Sequence, residues 1–335
     1  MMARRSVTSF DVAKKAGVSQ PTVSRALRNL PGTSPETRER VRTAALELDY
    51  IPSASGRTLS TRTTQRVAIV AEALTNPFYP ELVEPLRNAL GEYGYRAVLV
   101  ADRADDPVTI DALADGSYDG VLLCTVTRRS TLPRDLTERG VPHVLVNRIL
   151  DVPESSSCSF DNLAGGRLVG EFLAGLGHQR IGALHGTVDN STARDRASGL
   201  RSSLRSHGLH VRRTDLRRVP FSYDAGHRAA LEFLDRPDRP SAVFCGNDVI
   251  AVGALSAAKA LRIRVPEELT IIGFDNIGAA GWGTVDLTTV HCDRDELARV
   301  SVELLLRAID GAEPEQHVIA PGGMVERGTH GAPGC

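Results

Sequence analysis

The chain has 335 residues, of which 41% are apolar and 24% charged, a composition typical of a globular protein with two or three domains. Its longest apolar runs, such as Leu269 to Phe274, have the length of a strand and are too short to span a bilayer as a helix. The first ten residues lack the apolar region of a signal peptide. We therefore expect a cytoplasmic protein without a membrane segment.

The net charge of -1 is divided unevenly along the chain. Residues 1 to 65 contain 11 Arg and Lys against 5 Asp and Glu, a net of +6, whereas residues 66 to 335 contain 29 against 36, a net of -7. A basic first segment suits the phosphates of a nucleic acid. A solvated basic surface would give the same count, so the motifs must decide between the two.

Motifs of catalysis and metal binding are missing from the sequence. The five cysteines are scattered, odd in number and without C-x-x-C spacing, which argues against a disulfide framework and a zinc site. The nine histidines do not cluster at metal-ligand spacing, and no Walker loop, G-x-S-x-G, H-E-x-x-H or strand-linked G-x-G-x-x-G occurs. The sequence therefore predicts no catalytic residues, no metal and no cofactor, and a protein that is not an enzyme.

The first fifty residues predict three short helices. Thr8 and Asp11 have the spacing of a capping box, so a helix begins there, and it ends at Gly17, which adopts a left-handed conformation without steric cost. Ser19 is placed to cap a second helix from Gln20 to Leu27. A helix, a glycine-containing turn and a second helix form a helix-turn-helix, whose second helix lies in the major groove of DNA. The alternative is a small helical bundle with a polar surface.

A third helix and a linker follow the helix-turn-helix. Ser34 is the cap of this helix and Pro35 its first residue. The stretch that continues to Gln65 is rich in Ser, Thr and Arg and has too few apolar residues for a core. We therefore expect a helical unit over residues 1–52, a linker over 53–65, and a core over 66–335.

The core sequence predicts an α/β fold with two lobes. From Arg66 onward, apolar runs of four to seven residues alternate with amphipathic stretches, which indicates parallel sheets covered on both faces by helices. About 270 residues exceed one doubly wound sheet, so two are expected. The predicted strands are Val67–Val70, Ala97–Val100, Gly120–Cys124, His143–Val146, Ile181–His185, Ala242–Cys245 and Leu269–Phe274, and the predicted helices include Pro80–Tyr93, Leu163–Leu176 and Val249–Leu261.

Polar residues follow several of these strands or begin the next helix. Ligands of open parallel sheets bind beyond the carboxyl ends of the strands, where amides, a carboxylate and a guanidinium can hold a polyhydroxylated ligand. The polar candidates are Asn147, Arg196, Asn247 and Asp275. Two aromatic residues, Phe78 and Phe221, offer apolar faces to such a ligand. Each polar side chain can equally be a local loop cap.

The run from Val7 to Leu27 resembles the N-terminal headpiece of the lactose/galactose-repressor (LacI/GalR) family, and the resemblance continues through Ser34-Pro35-Glu36-Thr37-Arg38 and Tyr50-Ile51-Pro52. Arg57-Thr58-Leu59 is similar to the hinge helix of that family. The resemblance implies that Leu59 wedges into the minor groove of a palindromic operator beside its dimer mate, as apolar side chains do at kinked base steps.

Two residues of the hinge depart from the family pattern. Ser53 and Gly56 stand where the family usually has Asn and Ala, and glycine lowers helix propensity by about 1 kcal/mol relative to alanine. We expect the hinge helix to need DNA in order to form. The predicted DNA-contacting residues are Thr8, Ser19, Gln20, Pro21, Thr22, Ser24, Arg25, Arg28, Arg57 and Leu59. Of these, Gln20 suits adenine and Arg25 guanine.

The core also resembles that family. Its recurring signatures are matched by Asn76-Pro77-Phe78-Tyr79, Asp119-Gly120, Val146-Asn147-Arg148, Gly177-His178, Arg196 with Gly199, Asn247-Asp248 and Gly273-Phe274-Asp275. The resemblance implies a core like that of periplasmic sugar-binding proteins, with an N-lobe over about 66–160 and 292–320 and a C-lobe over about 161–290 and 321–330. Crossovers are expected near Phe160-Asp161, His291-Cys292 and Ala320-Gly322. His291 stands where glutamine is common. The implied effector-binding residues are Asn76, Phe78, Asn147, Arg196, Phe221, Asn247 and Asp275.

The sequence therefore predicts a sequence-specific DNA-binding transcription regulator. We expect a repressor that binds operator DNA as a homodimer and responds to a small effector, a sugar or related polyhydroxylated metabolite, in the cleft between the lobes. A solute-binding protein and a sensor that depends on a protein corepressor share the same core and remain alternatives.

Overall fold

A computed structural model of the chain describes residues 7–50, 63–72, 74–103, 105–151 and 154–334. The chain divides between Thr64 and Gln65 into two compact units, a helical one and an α/β one. Within the part of the chain that the structure describes, every helix is too short or too polar to cross a membrane.

The first unit is a three-helix bundle formed by α1 (Ser9–Ala16), α2 (Gln20–Leu27) and α3 (Pro35–Glu47). The predicted capping box is confirmed, because the Thr8 backbone N–H donates to the Asp11 carboxylate at 2.9 Å and the Thr8 hydroxyl accepts from the Asp11 N–H. The small apolar side chains of the helices form the core, which consists of Val12, Ala13, Val23, Ala26, Val41, Ala44 and Ala45.

One capping prediction in this unit is wrong. Ser19 occupies the N-cap position of α2, but its hydroxyl accepts no hydrogen bond from the backbone of the helix. Instead, its Oγ lies 2.8 Å from Oγ1 of Thr22. The Thr22 hydroxyl, one turn ahead, therefore takes the place of a backbone N–H as the hydrogen-bond partner of Ser19.

The second unit contains two parallel sheets. The N-lobe strands are β1 (Arg66–Ala71), β2 (Arg96–Ala101), β3 (Gly120–Leu123), β4 (His143–Val146), β5 (Ser156–Phe160) and β11 (Gln316–Ile319); the C-lobe strands are β6 (Ile181–His185), β7 (Leu216–Arg218), β8 (Ala242–Cys245) and β9 (Thr270–Ile272). The N-lobe sheet has the order β11-β5-β4-β3-β1-β2, and the C-lobe sheet has the order β7-β6-β8-β9. The predicted α/β fold with two doubly wound sheets is confirmed.

Helices cover the sheets of both lobes. Those of the N-lobe are α4 (Phe78–Glu92), α5 (Ile110–Leu113), α6 (Leu132–Glu138) and α11 (Arg294–Ile309), and those of the C-lobe are α7 (Asn162–Gly175), α8 (Ser191–Ser206), α9 (Tyr223–Leu234) and α10 (Asp248–Ala260). Two predicted strands are shorter in the structure, since β3 ends at Leu123 and β9 covers only Thr270–Ile272. Three predicted helices begin one or two residues earlier than expected.

The chain passes between the lobes three times. It leaves β5 of the N-lobe for α7, and it returns from β10 (Thr289–Val290) to α11. It leaves again after β11 and forms β12 (Met324–Val325), which pairs antiparallel with β10. The crossovers expected near Phe160-Asp161, His291-Cys292 and Ala320-Gly322 lie in these same stretches.

Glycines allow α7 and α8 to pack closely enough to fix the start of α8. A Cβ atom on Gly166 would lie 2.2 Å from the backbone oxygen of Arg196, and one on Gly199 would lie 2.0 Å from the backbone oxygen of Leu163. Because glycine has no side chain, the two helix backbones can come into direct contact at these positions. This contact holds Arg196, whose side chain belongs to the site described next.

Candidate functional site

The cleft between the lobes brings together all seven residues that the sequence predicts as effector-binding. It is lined by Asn76, Phe78, Tyr79, Asn147, Arg148, Thr192, Arg196, Phe221, Asn247 and Asp275. The cavity measures about 10 Å³, which is about the space of one water molecule. The lobes are thus closed on one another, and a sugar-sized ligand requires them to separate.

The N-lobe contributes an amide, that of Asn147, to the cleft. Asn147 directly follows β4 with φ +57°, a left-handed conformation that asparagine adopts more readily than most residues. Within the described residues, its buried Oδ1 accepts no hydrogen bond. The adjacent Arg148 donates to the Asn147 backbone oxygen at 2.7 Å and to the Tyr79 hydroxyl at 2.8 Å. Asn147 Oδ1 is therefore suited to accept a hydrogen bond from a ligand.

Arg196 is the most firmly held side chain of the cleft. Its Nε donates to Asn162 Oδ1 at 2.8 Å and its Nη1 to the Gly246 backbone oxygen at 2.7 Å. Its Nη2 lies 2.8 Å from Asp275 Oδ1, and the guanidinium carbon lies 3.8 Å from the centre of the Phe274 ring. These contacts fix the orientation of the guanidinium before any ligand binds.

Two amides of the cleft also cap their own loops. Asn247 Oδ1 accepts from the Ile250 backbone N–H at 3.0 Å and thereby caps α10, and Asn76 Oδ1 accepts from the Phe78 N–H at 3.1 Å. The local capping that the sequence allowed for Asn247 is thus present, and Asn76 makes a contact of the same kind. It uses only the oxygens, and within the described residues neither Nδ2 donates to a protein acceptor.

A second carboxyl, Asp248, lies fully buried behind the cleft. Its Oδ2 accepts from the Ile277 backbone N–H at 2.9 Å, and its Oδ1 lies 2.5 Å from Thr289 Oγ1. Burial, and to a lesser extent the nearby Asp275 carboxyl, raise the pKa of Asp248 to about 8. Burial also raises the pKa of Asp275, which Arg196 opposes. Ionisation of both buried carboxyls is unfavourable, because each loses its hydration and the two negative charges repel. With Asp248 protonated, the negative charge lies on Asp275, beside Arg196.

Polar contacts at the rim hold the two lobes together. The Arg194 guanidinium on α8 lies 2.7 Å from Asp151 of the N-lobe, and the Ile149 backbone N–H donates to Ser191 Oγ at 3.2 Å. At another place, the Glu81 carboxylate on α4 accepts from the Gly278 backbone N–H at 2.9 Å. Most of these side chains are partly exposed, so the closed arrangement rests on contacts that can be exchanged for water.

Sequence reasoning missed three residues that line the cleft, namely Tyr79, Arg148 and Thr192. Tyr79 and Arg148 directly follow Phe78 and Asn147 in the chain, and that adjacency was the available signal. It did not suffice, because neighbours in a chain usually point to different sides and only the tertiary structure shows which side chain returns to the cleft.

In the headpiece, α2 presents one exposed face. Val23 and Ala26 are buried, whereas Pro21, Arg25 and Arg28 are exposed and recur at the three- and four-residue spacing of one helix face. Thr22 and Ser24 are half-buried, and Thr8 is occupied by the capping box. Gln20 Nε2 donates to Ser9 Oγ at 3.3 Å, which ties the start of α2 to α1. Arg57 and Leu59 lie outside the described residues.

A helix-turn-helix unit followed by a two-lobed core with a polar cleft defines a DNA-binding regulator with a periplasmic-binding-protein-like domain. Residues 10–53 match the model of bacterial regulatory proteins of the lacI family, and residues 171–330 match a periplasmic binding protein-like domain. The chain is 36% identical over 324 residues to the HTH-type transcriptional regulator CelR of Thermobifida fusca, covering 94% of this chain and 95% of the relative. It is 34% identical over 308 residues to the ribose operon repressor of Escherichia coli K12, covering 90% and 93%.

Solved structures agree with these sequence matches. The complex of CelR with cellobiose superimposes with a TM-score of 0.74 at 32% identity, over 96% of this chain and 99% of that one. The lac repressor dimer bound to operator and the anti-inducer ONPF superimposes with a TM-score of 0.84 at 25% identity, over 98% and 100%. The chain belongs to the LacI family and is a DNA-binding transcriptional regulator, which confirms the family predicted from the sequence.

Proposed function

We propose that this protein is a repressor that binds a palindromic operator as a homodimer and is controlled by a sugar or related polyhydroxylated metabolite in the cleft. The observation that carries the proposal is the convergence of the seven effector-binding candidates between the lobes of a chain that also has a helix-turn-helix. Support also comes from two relatives, since CelR has been solved with cellobiose and the lac repressor as a dimer on its operator. The division into headpiece, hinge and core at residues 52 and 65 is part of the proposal.

In the proposed complex, α2 lies in the major groove. Gln20 reads adenine and Arg25 reads guanine, because an amide and a guanidinium match the hydrogen-bonding edges of these bases. Pro21 contributes an apolar contact without a donor. Phosphates are contacted by residues that position the protein without reading sequence, for which we propose Thr8, Ser19, Thr22, Ser24 and Arg28. Arg57 and Leu59 of the hinge act in the minor groove.

In the proposed effector complex, polar groups from both lobes bind ligand hydroxyls. Arg196 donates to the ligand and Asp275 accepts from it. The contacts of Arg196 with Asn162 and Asp275 keep both side chains in one orientation. Asn147 Oδ1 accepts from the ligand, while the Nδ2 groups of Asn76 and Asn247 donate to it. Phe78 and Phe221 pack against an apolar face of the ligand. A ligand with several hydroxyls and an apolar ring face satisfies this set of groups.

The two sites communicate through the movement of the lobes. Because the closed cleft holds only about one water, an effector that fits must stabilise a different separation of the lobes. In a dimer, that change alters the spacing of the two headpieces and so the affinity for two half-sites about one helical turn apart. A coupling free energy of about 1 to 3 kcal/mol is typical, and the DNA must change effector affinity by the same factor.

The experiment is a binding titration of the full-length protein with the DNA upstream of its own gene. It is performed at two salt concentrations, with and without a panel that contains cellobiose, ribose, nucleosides and sugar phosphates. We expect specific binding that strengthens at low salt and changes with one member of the panel, and we expect Asp275→Asn to abolish the effector response. Tight sugar binding without specific DNA binding would leave only a solute sensor and overturn the repressor proposal.

A further inference from the structure

A second cavity lies in the C-lobe, between α8 and the ends of β6 and β7, and we call it the basic groove. It measures about 640 Å³, a size within the range of small-molecule sites. Its basic side chains are His185, Arg201, Arg205, His210 and Arg218. The residues that line the basic groove and those that line the interlobe cleft do not overlap. The groove is therefore a separate feature of the molecule.

Arginines concentrate the positive charge of the basic groove. Residues 201–218 contain six arginines and one acidic residue, Asp215, although the core as a whole is acidic. The Asp215 carboxylate is already paired with Arg180 and Arg236. Among the described residues, no carboxylate forms an ion pair with Arg201, Arg205 or Arg218. Burial and the neighbouring Arg201 lower the pKa of Arg218, as expected of a cation next to another cation.

A buried histidine lies at the floor of the groove. His185 ends β6 and is only 2% exposed, yet within the described residues its Nδ1 has no hydrogen-bond partner. Burial, together with Arg218 and Arg201, lowers the pKa of His185 to about 3, so the ring is neutral near pH 7 and can carry its proton on Nδ1. Buried polar atoms are ordinarily hydrogen-bonded, which makes this nitrogen suited to a ligand atom.

We propose that the basic groove is a second binding site, which takes a small metabolite carrying a phosphate group. Guanidinium groups bind phosphate oxygens with two parallel hydrogen bonds, and three of them offset the double charge of a phosphate ester. Leu209 and Leu216 also line the groove and offer apolar surface to the carbon skeleton of such a molecule. A volume of about 640 Å³ with apolar as well as basic lining residues suits a molecule that enters the groove, whereas a duplex presents its phosphates to exposed basic side chains. These features favour a small molecule over DNA.

The basic groove is linked to the effector cleft by two short structural paths. Arg218 Nη1 donates to the Gly186 backbone oxygen at 3.1 Å, and Gly186 packs so closely on Phe221 of the cleft that a Cβ there would lie 2.5 Å from the ring. In addition, α8 carries both Arg196 of the cleft and Arg201 of the groove. A ligand in the groove thus contacts elements that also position the effector-binding side chains.

The test is isothermal titration calorimetry of the full-length protein with inorganic phosphate and pyrophosphate at constant ionic strength. We expect saturable binding with one site per chain. The double variant Arg201→Gln with Arg205→Gln should weaken pyrophosphate binding by about tenfold or more, because hydrogen bonds between charged groups are lost. Both side chains are exposed on α8, so the fold should persist, and thermal unfolding checks this.

The matched control is the double variant Arg167→Gln with Arg228→Gln, which removes the same charge from exposed positions on α7 and α9 that do not line the groove. It should bind pyrophosphate like the unaltered protein. Equal weakening in both double variants would mean a general charge effect, and no saturable binding would mean no site; either result overturns the proposal. Binding of a duplex without operator sequence that depends on Arg201 and Arg205, and that pyrophosphate does not displace, would assign the arginines to DNA instead.

Discussion

Arg196 Nη2 lies 2.8 Å from Asp275 Oδ1 on the C-lobe side of the effector cleft, and their side chains are only 2% and 6% exposed. A buried ion pair is not in itself a source of stability, because desolvation of both charges offsets their attraction. Removal of one partner is costly, however, since it leaves the other charge buried without compensation. The pair therefore links the fold of the C-lobe to its binding chemistry.

We expect Asp275→Asn to destabilise the core by about 3 kcal/mol, the typical cost of breaking a buried pair. The variant keeps the shape of the side chain but leaves the Arg196 charge uncompensated. Urea unfolding followed by the fluorescence of Trp282, the single tryptophan, measures the change. Asp224→Asn is the control, because Asp224 is exposed on α9 and its loss should leave the unfolding midpoint unchanged. A midpoint for Asp275→Asn that equals the control would contradict this account.

The ion pair between Asp151 and Arg194 offers a test of lobe opening. We expect Asp151→Asn to favour separation of the lobes, because Asp151 joins the N-lobe to α8 at 2.7 Å. Deuterium uptake should then rise over residues 147–151 and 189–194, where the Ile149 N–H bonds to Ser191. Glu138→Gln removes another exposed ion pair, with Arg134 inside α6, and should leave uptake in both segments unchanged. If the two variants behave alike, the Asp151 pair does not hold the cleft closed.

Gly17 at the end of α1 provides a test of headpiece stability. Its φ is +67°, and a Cβ placed there would meet no atom within 4 Å. Gly17→Ala therefore adds only left-handed backbone strain, at a cost of about 1 kcal/mol. We expect faster amide exchange in α1 and α2 and weaker DNA binding. The matched control is Gly91→Ala in α4, where φ is not positive and space is also open, so alanine should leave the helix intact or stabilise it.

The cleft was predictable because it follows from topology. Residues such as Asn147 and Asp275 come directly after apolar strands, and the carboxyl ends of parallel strands meet at one edge of a sheet. The strand Ser156–Phe160 was not predicted, since three of its five residues are serines. It forms because β4 and β11 supply its hydrogen bonds on both sides, and such tertiary pairing overrides local β propensity.

The features that the sequence did not predict depend on distances between side chains. The Ser19 hydroxyl has two possible partners, and only the structure shows that Thr22 is the one it contacts. The net charge of the core does not indicate the basic groove, because the core as a whole is acidic and its net charge masks the six arginines within residues 201–218. The burial of His185 depends on tertiary packing, which no local sequence pattern records.

The raised pKa of Asp248 predicts how stability depends on pH. The folded protein holds this proton up to about pH 8, whereas an unfolded aspartate releases it near pH 4. Between these values Asp248 binds its proton in the folded state and not in the unfolded state, so its contribution to the free energy of unfolding falls as pH rises, by at most about 1.4 kcal/mol per pH unit. Above about pH 8 this contribution is fully lost.

Asp248→Asn should make that pH dependence shallower. The amide is isosteric, and its oxygen can still accept from the Ile277 N–H, as the carboxylate does at 2.9 Å. Urea unfolding of both proteins between about pH 5 and pH 8 measures the two slopes. Asp275 with its raised pKa and His185 with its lowered pKa are present in both proteins and contribute slopes of opposite sign, so the difference between the two slopes reports Asp248. Parallel stability curves for the two proteins would show that Asp248 is ionised in the folded state, and the proton would then have to be assigned to Asp275.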